Sequence, residues 1–342
     1  MKTLSDFFEH TKDYHILVAG DVMLDCYLWG SVDRISPEAP VPVLQLKSSE
    51  RRLGGAANVA LNLAKLGARV SIMGIVGNDP AGQALVEMLA ANQIDSTLLI
   101  NASDAKTTVK TRVIGGHQHL LRVDEEKHRD SSRREAVIVR EKLDNLNSSE
   151  RPHAIILQDY NKGFLSSPMI RMMMSYAGGQ RIPVCVDPKE ENFFEYVGAT
   201  IFKPNLRELR ARVPFPVEIS ENSLREAARY LAENLKCNTA AITLSDQGIF
   251  LSRQNQSGIF PTKARTVVDV CGAGDAVIAV LTLGHLMGAS LPQLGALGNA
   301  GGGVVCGEVG VSPVDLEAMR AEIAEIAKAI EAGEEAKTLQ IG

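Results

Sequence analysis

Short apolar runs alternate with helical patterns along most of the chain, and that alternation limits the folds open to it. Tyr14–Gly20, Arg69–Val76, His153–Gln158, Ile182–Val186 and Thr200–Phe202 read as buried strands. Gly54–Leu66, Pro80–Asn92, Glu135–Leu146, Pro168–Tyr176 and Ala273–Met287 read as helices between them. Such an order predicts the α/β class, with a mostly parallel sheet covered by helices on both faces. Ile94–Ile100 is expected to add a short strand, and Thr239–Leu244 with Gly248–Ser252 a strand pair joined by a turn. Leu291–Cys306 and Pro313–Ala332 are expected to close the chain as helices. Two stretches stand apart. Val41–Leu46 and Thr107–Val123, the second broken at Gly115-Gly116, alternate polar and apolar and predict a small separate sheet.

Open parallel sheets bind ligands beyond the carboxyl ends of their strands. The residues just past these strands are Asp21, Asp159, Asp187, Asn205 and Ser245. A single Asp or Asn there is commonly a turn or cap residue. Five polar side chains on one rim mark a site.

Composition narrows what that site serves. Asp and Glu number 41 against 36 Lys and Arg, a formal charge of −5, which argues against bulk binding to nucleic acid or to an anionic membrane. No apolar run reaches the ~18 residues of a membrane helix. Residues 1–14 carry Asp6, Glu9, Lys12 and Asp13, unlike a signal peptide. The expected location is the cytoplasm. Five cysteines with no C-x-x-C pair argue against a disulfide scaffold or zinc site. The Walker A, G-x-G-x-x-G and H-E-x-x-H patterns are absent.

Two motifs carry chemistry. Asp269-Val-Cys-Gly-Ala-Gly-Asp275 runs directly into an apolar helix. The small residues Gly272, Ala273 and Gly274 leave N–H groups at a helix start open to an anion, and Asp275 stands in the first turn beside them. A tight turn with a capping Asp is the plainer account of the same residues. The earlier motif is Gly54-Gly55-Ala-Ala-Asn58. Its glycines allow close backbone approach, and Asn58 both donates and accepts toward a polyol, although a close helix–sheet contact explains it equally well.

Together, in this order and about 220 residues apart, the motifs resemble the two signatures of the PfkB, or ribokinase-like, carbohydrate kinases. The resemblance spans about Tyr14 to Ala332. Within that family, Gly20-Asp21-Val-Met-Leu-Asp25, Arg34–Val43, Asp159–Gly163, Asp187-Pro188-Lys189 and Lys203–Glu208 are similar to the heptose-7-phosphate kinases of the bacterial ADP-heptose pathway. Cys271 and Ala276 depart from the usual Thr, and Gln158 stands where relatives commonly show a small residue. Cys271 is read as a packing residue, with no adjacent His to activate it.

The resemblance implies a ribokinase-like kinase domain over 14–332, with lid strands from about 22–48 and 105–123. It also implies no nucleotidyltransferase domain, since no H-x-G-H motif occurs. The implied reaction is ATP-dependent phosphorylation of C1 of D-glycero-D-manno-heptose 7-phosphate. Asp275 is expected to take the proton, and the Gly272–Gly274 amides to hold the transferring phosphate. Asn205 and Glu208 would organise Mg²⁺ on the triphosphate, Glu208 through water, while Ser245, Gly248 and Asn299 border the nucleotide. Asp21, Gly54, Gly55, Asn58, Asp159 and Asp187 are assigned to the sugar, and Arg122, Lys162 and Lys189 to its distal phosphate. A homodimer paired through the lid is expected, and monovalent-cation activation stays open. So do two other readings, a PfkB-type kinase for ribose, fructose or tagatose phosphates and a non-catalytic binding protein on the same fold.

Overall fold

Along the strand His15–Gly20, Ile16 and Val18 pack on one side of the sheet and Leu17 and Ala19 on the other. Both faces are covered, so the strand reads as an unbroken apolar run rather than an alternation. The computed structural model describes residues 4–116, 118–262, 269–307 and 310–331. The expected helix end at Ala332 lies outside them.

The main sheet has eight strands in the order Gln256–Phe260, Ile249–Arg253, Thr239–Thr243, Ile201–Phe202, Val184–Asp187, Ala154–Gln158, His15–Gly20 and Arg69–Met73. All neighbours from Thr239–Thr243 onward are parallel, and the first two strands form an antiparallel edge. Helices Ala56–Lys65, Ala273–Leu286 and Leu291–Val305 cover one face. Helices Arg133–Asp144, Ser167–Gln180 and Glu221–Leu235 cover the other.

The second sheet is ordered Pro42–Gly55, Val22–Ile35, Thr108–Gly115 and Gln118–Glu125. Val22–Ile35 leaves the main sheet directly after Asp21, and the Ala56 N–H returns to the Asp21 carbonyl. The second sheet is therefore joined to the main one where the strand His15–Gly20 ends.

Several boundaries differ from expectation. Gly54 and Gly55 end a lid strand, and the helix begins only at Ala56. Arg69–Val76 divides at Gly74 into Arg69–Met73 and Ile75–Gly77, which belong to different sheets. The strand expected at Ile94–Ile100 lies instead at Ile100–Ala102, because Asp95 closes a turn by accepting the Thr97 N–H. Gln256–Phe260 is a strand the pattern did not reveal, and the last helix starts at Leu316.

Candidate active site

Gln158 and Asp187 end neighbouring parallel strands in register with each other. Gln158 Nε2 donates to Asp187 Oδ2 at 3.0 Å and to Asp275 Oδ1 at 3.2 Å. Lys203, just past the strand Ile201–Phe202, pairs with Asp187 Oδ2 at 3.0 Å. Asn58, on the helix Ala56–Lys65, donates to Asp275 Oδ2 at 2.7 Å. The Tyr160 hydroxyl donates to Asp275 Oδ1 at 2.8 Å. Asp187, Lys203 and Asp275 are all buried.

Burial pushes the Asp275 carboxyl up to about 6, with the Asp187 charge adding to the rise. The Asn58 and Tyr160 hydrogen bonds and the Lys203 charge work the other way. The result is a carboxylate that is ionised at neutral pH and still basic enough to take a proton. Burial, with the charges of Asp275 and Asp187, raises the Tyr160 phenol well above its usual range, so it stays a donor.

Asp275 stands in the first turn of Ala273–Leu286, whose leading N–H groups lack carbonyl partners within the helix. Gly272 precedes that turn at φ 82°, a conformation that favours glycine, and a Cβ there would sit 3.1 Å from Asn58 Nδ2. The helix start, the Asp275 carboxylate and Asn58 thus meet in one place. Burial and the neighbouring Asp269 push the Cys271 thiol up to about 11, so it is protonated at neutral pH.

Ser245, Gly248 and Asn299 gather around one hairpin end. Ser245 and Gly248 turn the chain between two strands, at φ 58° and 96°. Asn299 Nδ2 donates to the Phe260 and Pro261 carbonyls at 2.9 and 3.0 Å. Asn205 and Glu208 form a reciprocal cap on Leu206–Arg212, and Glu208 also pairs with Lys189. Both Glu208 oxygens are therefore engaged. Among the described residues no group of three or more His, Cys, Asp or Glu side chains could hold a metal. A Mg²⁺ ion arriving on a nucleotide would keep its phosphate and water ligands, which suits an indirect contact.

Two aspartates expected at the sugar point elsewhere. Asp21 is buried and accepts the N–H groups of Tyr160, Lys162 and Phe164, fixing the 160–164 loop. Asp159 accepts the Tyr196 hydroxyl at 2.7 Å and the Asn161 N–H at 2.8 Å. Successive residues of an extended chain face opposite ways, so Gln158 takes the place in the site that the rim rule gave to Asp159. Gly54 lies against the Asp25 side chain, where a methyl group would overlap the carboxylate. The phosphate candidates are all paired: Arg122 with Asp124, Lys162 with Glu126 and Lys189 with Glu208.

The sequence reading missed Asp25, Lys110, Arg112, Gln158, Tyr160 and Lys203. Arg112 and Asp25 form a buried ion pair on the lid, and the ammonium groups of Lys110 and Lys189 each lie 5.5 Å from the Tyr160 ring centroid. The one available signal was period two in the lid strands, which places Asp25 beside Lys110 and Tyr27 beside Arg112.

Comparison with known proteins agrees with this architecture. The profile of the pfkB family carbohydrate kinases matches residues 14–319. A curated relative from Magnetococcus marinus named "Bifunctional protein HldE" is 44% identical over 90% of this chain and 63% of its own length. A second of that name, from Koribacter versatilis, is 41% identical over 93% of this chain and 65% of its own. The chain thus spans just under two thirds of the length of these relatives. Phosphofructokinase-2 from Escherichia coli in complex with potassium superposes with TM-score 0.77 at 20% identity, covering 92% of this chain and 99% of that one. Arabidopsis thaliana ribokinase complexed with ribose and ATP superposes at 0.69 and 17% identity, covering 92% of this chain and 99% of its own. With its fold, its paired motifs and a profile match over most of its length, the chain belongs to the pfkB family of carbohydrate kinases.

Proposed function

We propose that the protein transfers the γ-phosphoryl group of ATP to the C1 hydroxyl of D-glycero-D-manno-heptose 7-phosphate. The product is the 1,7-bisphosphate that leads to ADP-heptose and the lipopolysaccharide core. The observation that carries the reading is Asp275, a buried carboxylate raised to about 6 in the first turn of a helix, where the Ala273 N–H has only a long 3.3 Å bond to the Val270 carbonyl. The acceptor follows from the segments similar to heptose-phosphate kinases and from the HldE relatives.

Phosphoryl transfer asks for positioning and charge stabilisation rather than covalent chemistry. Asp275 accepts the proton of the attacking hydroxyl, and Asn58 and Gln158 hold the carboxylate in place. The Gly272–Gly274 amides face the transferring phosphate. MgATP is the donor substrate, with Ser245, Gly248 and Asn299 at its nucleotide end and Asn205 and Glu208 on the Mg²⁺ side through water. Asn58 Oδ1 and Gln158 Oε1 are buried with no partner among the described residues, which suits acceptors waiting for substrate hydroxyl groups.

The test is ADP release from MgATP with a panel of free and phosphorylated sugars. The heptose 7-phosphate is expected to give the highest kcat/KM. A ribose, fructose or tagatose phosphate used more efficiently overturns the acceptor, and no ADP release with any sugar overturns the kinase. We also place the enzyme in the cytoplasm as a homodimer. The exposed lid side chains Ile35, Val41, Leu46, Leu121 and Val123 support pairing through the lid. Light scattering checks it, with a monomer at micromolar concentration as the contrary result.

A further inference from the structure

Four cations and three carboxylates share one region of the lid. Lys110 stands across from Asp25 on one neighbouring strand and from Asp124 on the other, and Arg112 stands across from Arg122. Side chains opposite each other in a sheet share a face. Arg112 takes Asp25, Arg122 takes Asp124, and Lys162 reaches over to take Glu126. Lys110 is left over. Among the described residues it is half-buried with no hydrogen bond and no carboxylate oxygen within ion-pairing distance, and its ammonium lies over the Tyr160 ring.

Tyr160 ties this ammonium to the base. The same side chain whose ring lies under Lys110 places its hydroxyl on Asp275 Oδ1. The ammonium lies 5.5 Å from the ring centroid, and the hydroxyl 2.8 Å from the carboxylate oxygen, so one side chain borders both groups. Resting on the kinase reading above, we infer that Lys110 anchors the acceptor's phosphate group: a phosphate monoester binds on the lid face at Lys110, beside Lys162 and Arg122.

The chemistry favours this group over the other cations and over a neutral ligand. A phosphate monoester carries close to two negative charges at neutral pH and presents several acceptor oxygens. The lid residues named leave one positive charge in excess, since Lys110, Arg112, Arg122 and Lys162 face only Asp25, Asp124 and Glu126. Burial, with the Lys162 and Arg122 charges, outweighs the opposing Asp25 and Asp124 charges and lowers the Lys110 pKa, a cost that an arriving dianion relieves. Drawing Lys189 away instead would strip a buried Glu208 of its partner.

Lys110→Met keeps the length of the side chain and removes its charge. It should raise KM for the preferred sugar phosphate about tenfold to a hundredfold, the worth of a charge-assisted hydrogen bond. The KM for ATP should stay within twofold, and Lys110→Arg should recover most of the loss. A Lys110→Met enzyme with wild-type KM for the sugar phosphate overturns the proposal. Should that variant not fold, the wild-type enzyme answers by itself: the sugar phosphate, and not ATP, should protect Lys110 from amine acylation read by mass spectrometry. Absence of protection also overturns it. The acceptor reading fails separately. If another sugar phosphate is preferred, the heptose is wrong and the Lys110 comparison is made on that sugar. If free sugars serve as well as phosphorylated ones, Lys110 has no phosphate to hold and the inference falls.

Discussion

The two ends of the site are charged in opposite ways. At the base end, Asp187, Lys203 and Asp275 are buried, and Gln158 and Asn58 hold the two carboxylates through amide hydrogen bonds. At the lid end most ion pairs are open to solvent; Arg122 is 58% exposed in its side chain and pairs with Asp124 two residues away on its own strand. The buried Arg112–Asp25 pair is the exception. Charges deep in a packed rim are few and fixed, because each must be compensated where it stands. Charges on an exposed sheet can exchange partners at small cost, which suits a surface that must accept and release an anion. The base end is built to hold one geometry and the lid end to trade contacts.

That contrast can be broken by experiment. The largest effect is expected at Asp275. Asp275→Asn keeps the size and removes the base, so kcat should fall about 10²–10⁴-fold, with substrate Kd values within a few-fold of wild type. Single-turnover phosphorylation and calorimetry on one preparation check both. Retention of more than about a tenth of kcat would leave Asp275 as a buried hydrogen-bond acceptor for Asn58, Gln158 and Tyr160 and not the base.

Lys203 tests whether the base end is as rigid as its burial implies. Lys203→Met strands the Asp187 carboxylate, and removing one partner of a buried pair costs about 3–5 kcal/mol in denaturant unfolding. The Lys203 charge lowers the Asp275 pKa, so its loss should also move the acid limb of kcat/KM, which reports the free enzyme, to higher pH. In the wild-type enzyme that limb should lie near 6, because the base works ionised and its carboxyl is raised to about 6. Activity should climb as pH rises through that value and then level off. A limb near the ordinary carboxylate range would mean that Asp275 is better solvated than the buried cluster indicates.

The smallest effect is expected at the lid. Arg122→Ala removes an exposed pair and should change stability by less than about 1 kcal/mol. It should raise KM for a sugar phosphate only a few-fold and leave kcat alone. A loss as large as that of Lys110→Met would show the lid cations acting as one unit.

Much of the base end was legible in the sequence because it is local. Gly272 to Asp275 sit in one turn, and a helix start with small residues beside an Asp has few uses. Asn58 stood out through its motif and Asp187 through the rule for strand ends, and the structure places Asn58 on Asp275 and Asp187 on Gln158. The same rule misplaced Asp159 by one residue, since pattern reading places a strand end but not the parity of its last side chain. Gln158, one position earlier, faces Asp275, whereas Asp159 faces Tyr196. Asp21 was misassigned for a different reason. Its partners are backbone N–H groups near residue 160, and nothing at positions 20–25 announces them.

The lid cations were the least legible. Arg122, Lys162 and Lys189 looked available because a charge run does not reveal which carboxylates will stand beside it. Lys110 looked ordinary for the same reason. The amino-acid sequence alone determined the α/β order of the main sheet, the helix start at Asp275 and the paired motifs, because these rest on periodicity and on contacts within a few residues. Only the tertiary structure decided which charges meet. It sets strand order and register, and these bring Asp25 beside Lys110, Lys203 onto Asp187 and Tyr160 onto Asp275 across separations of 16 to 115 residues.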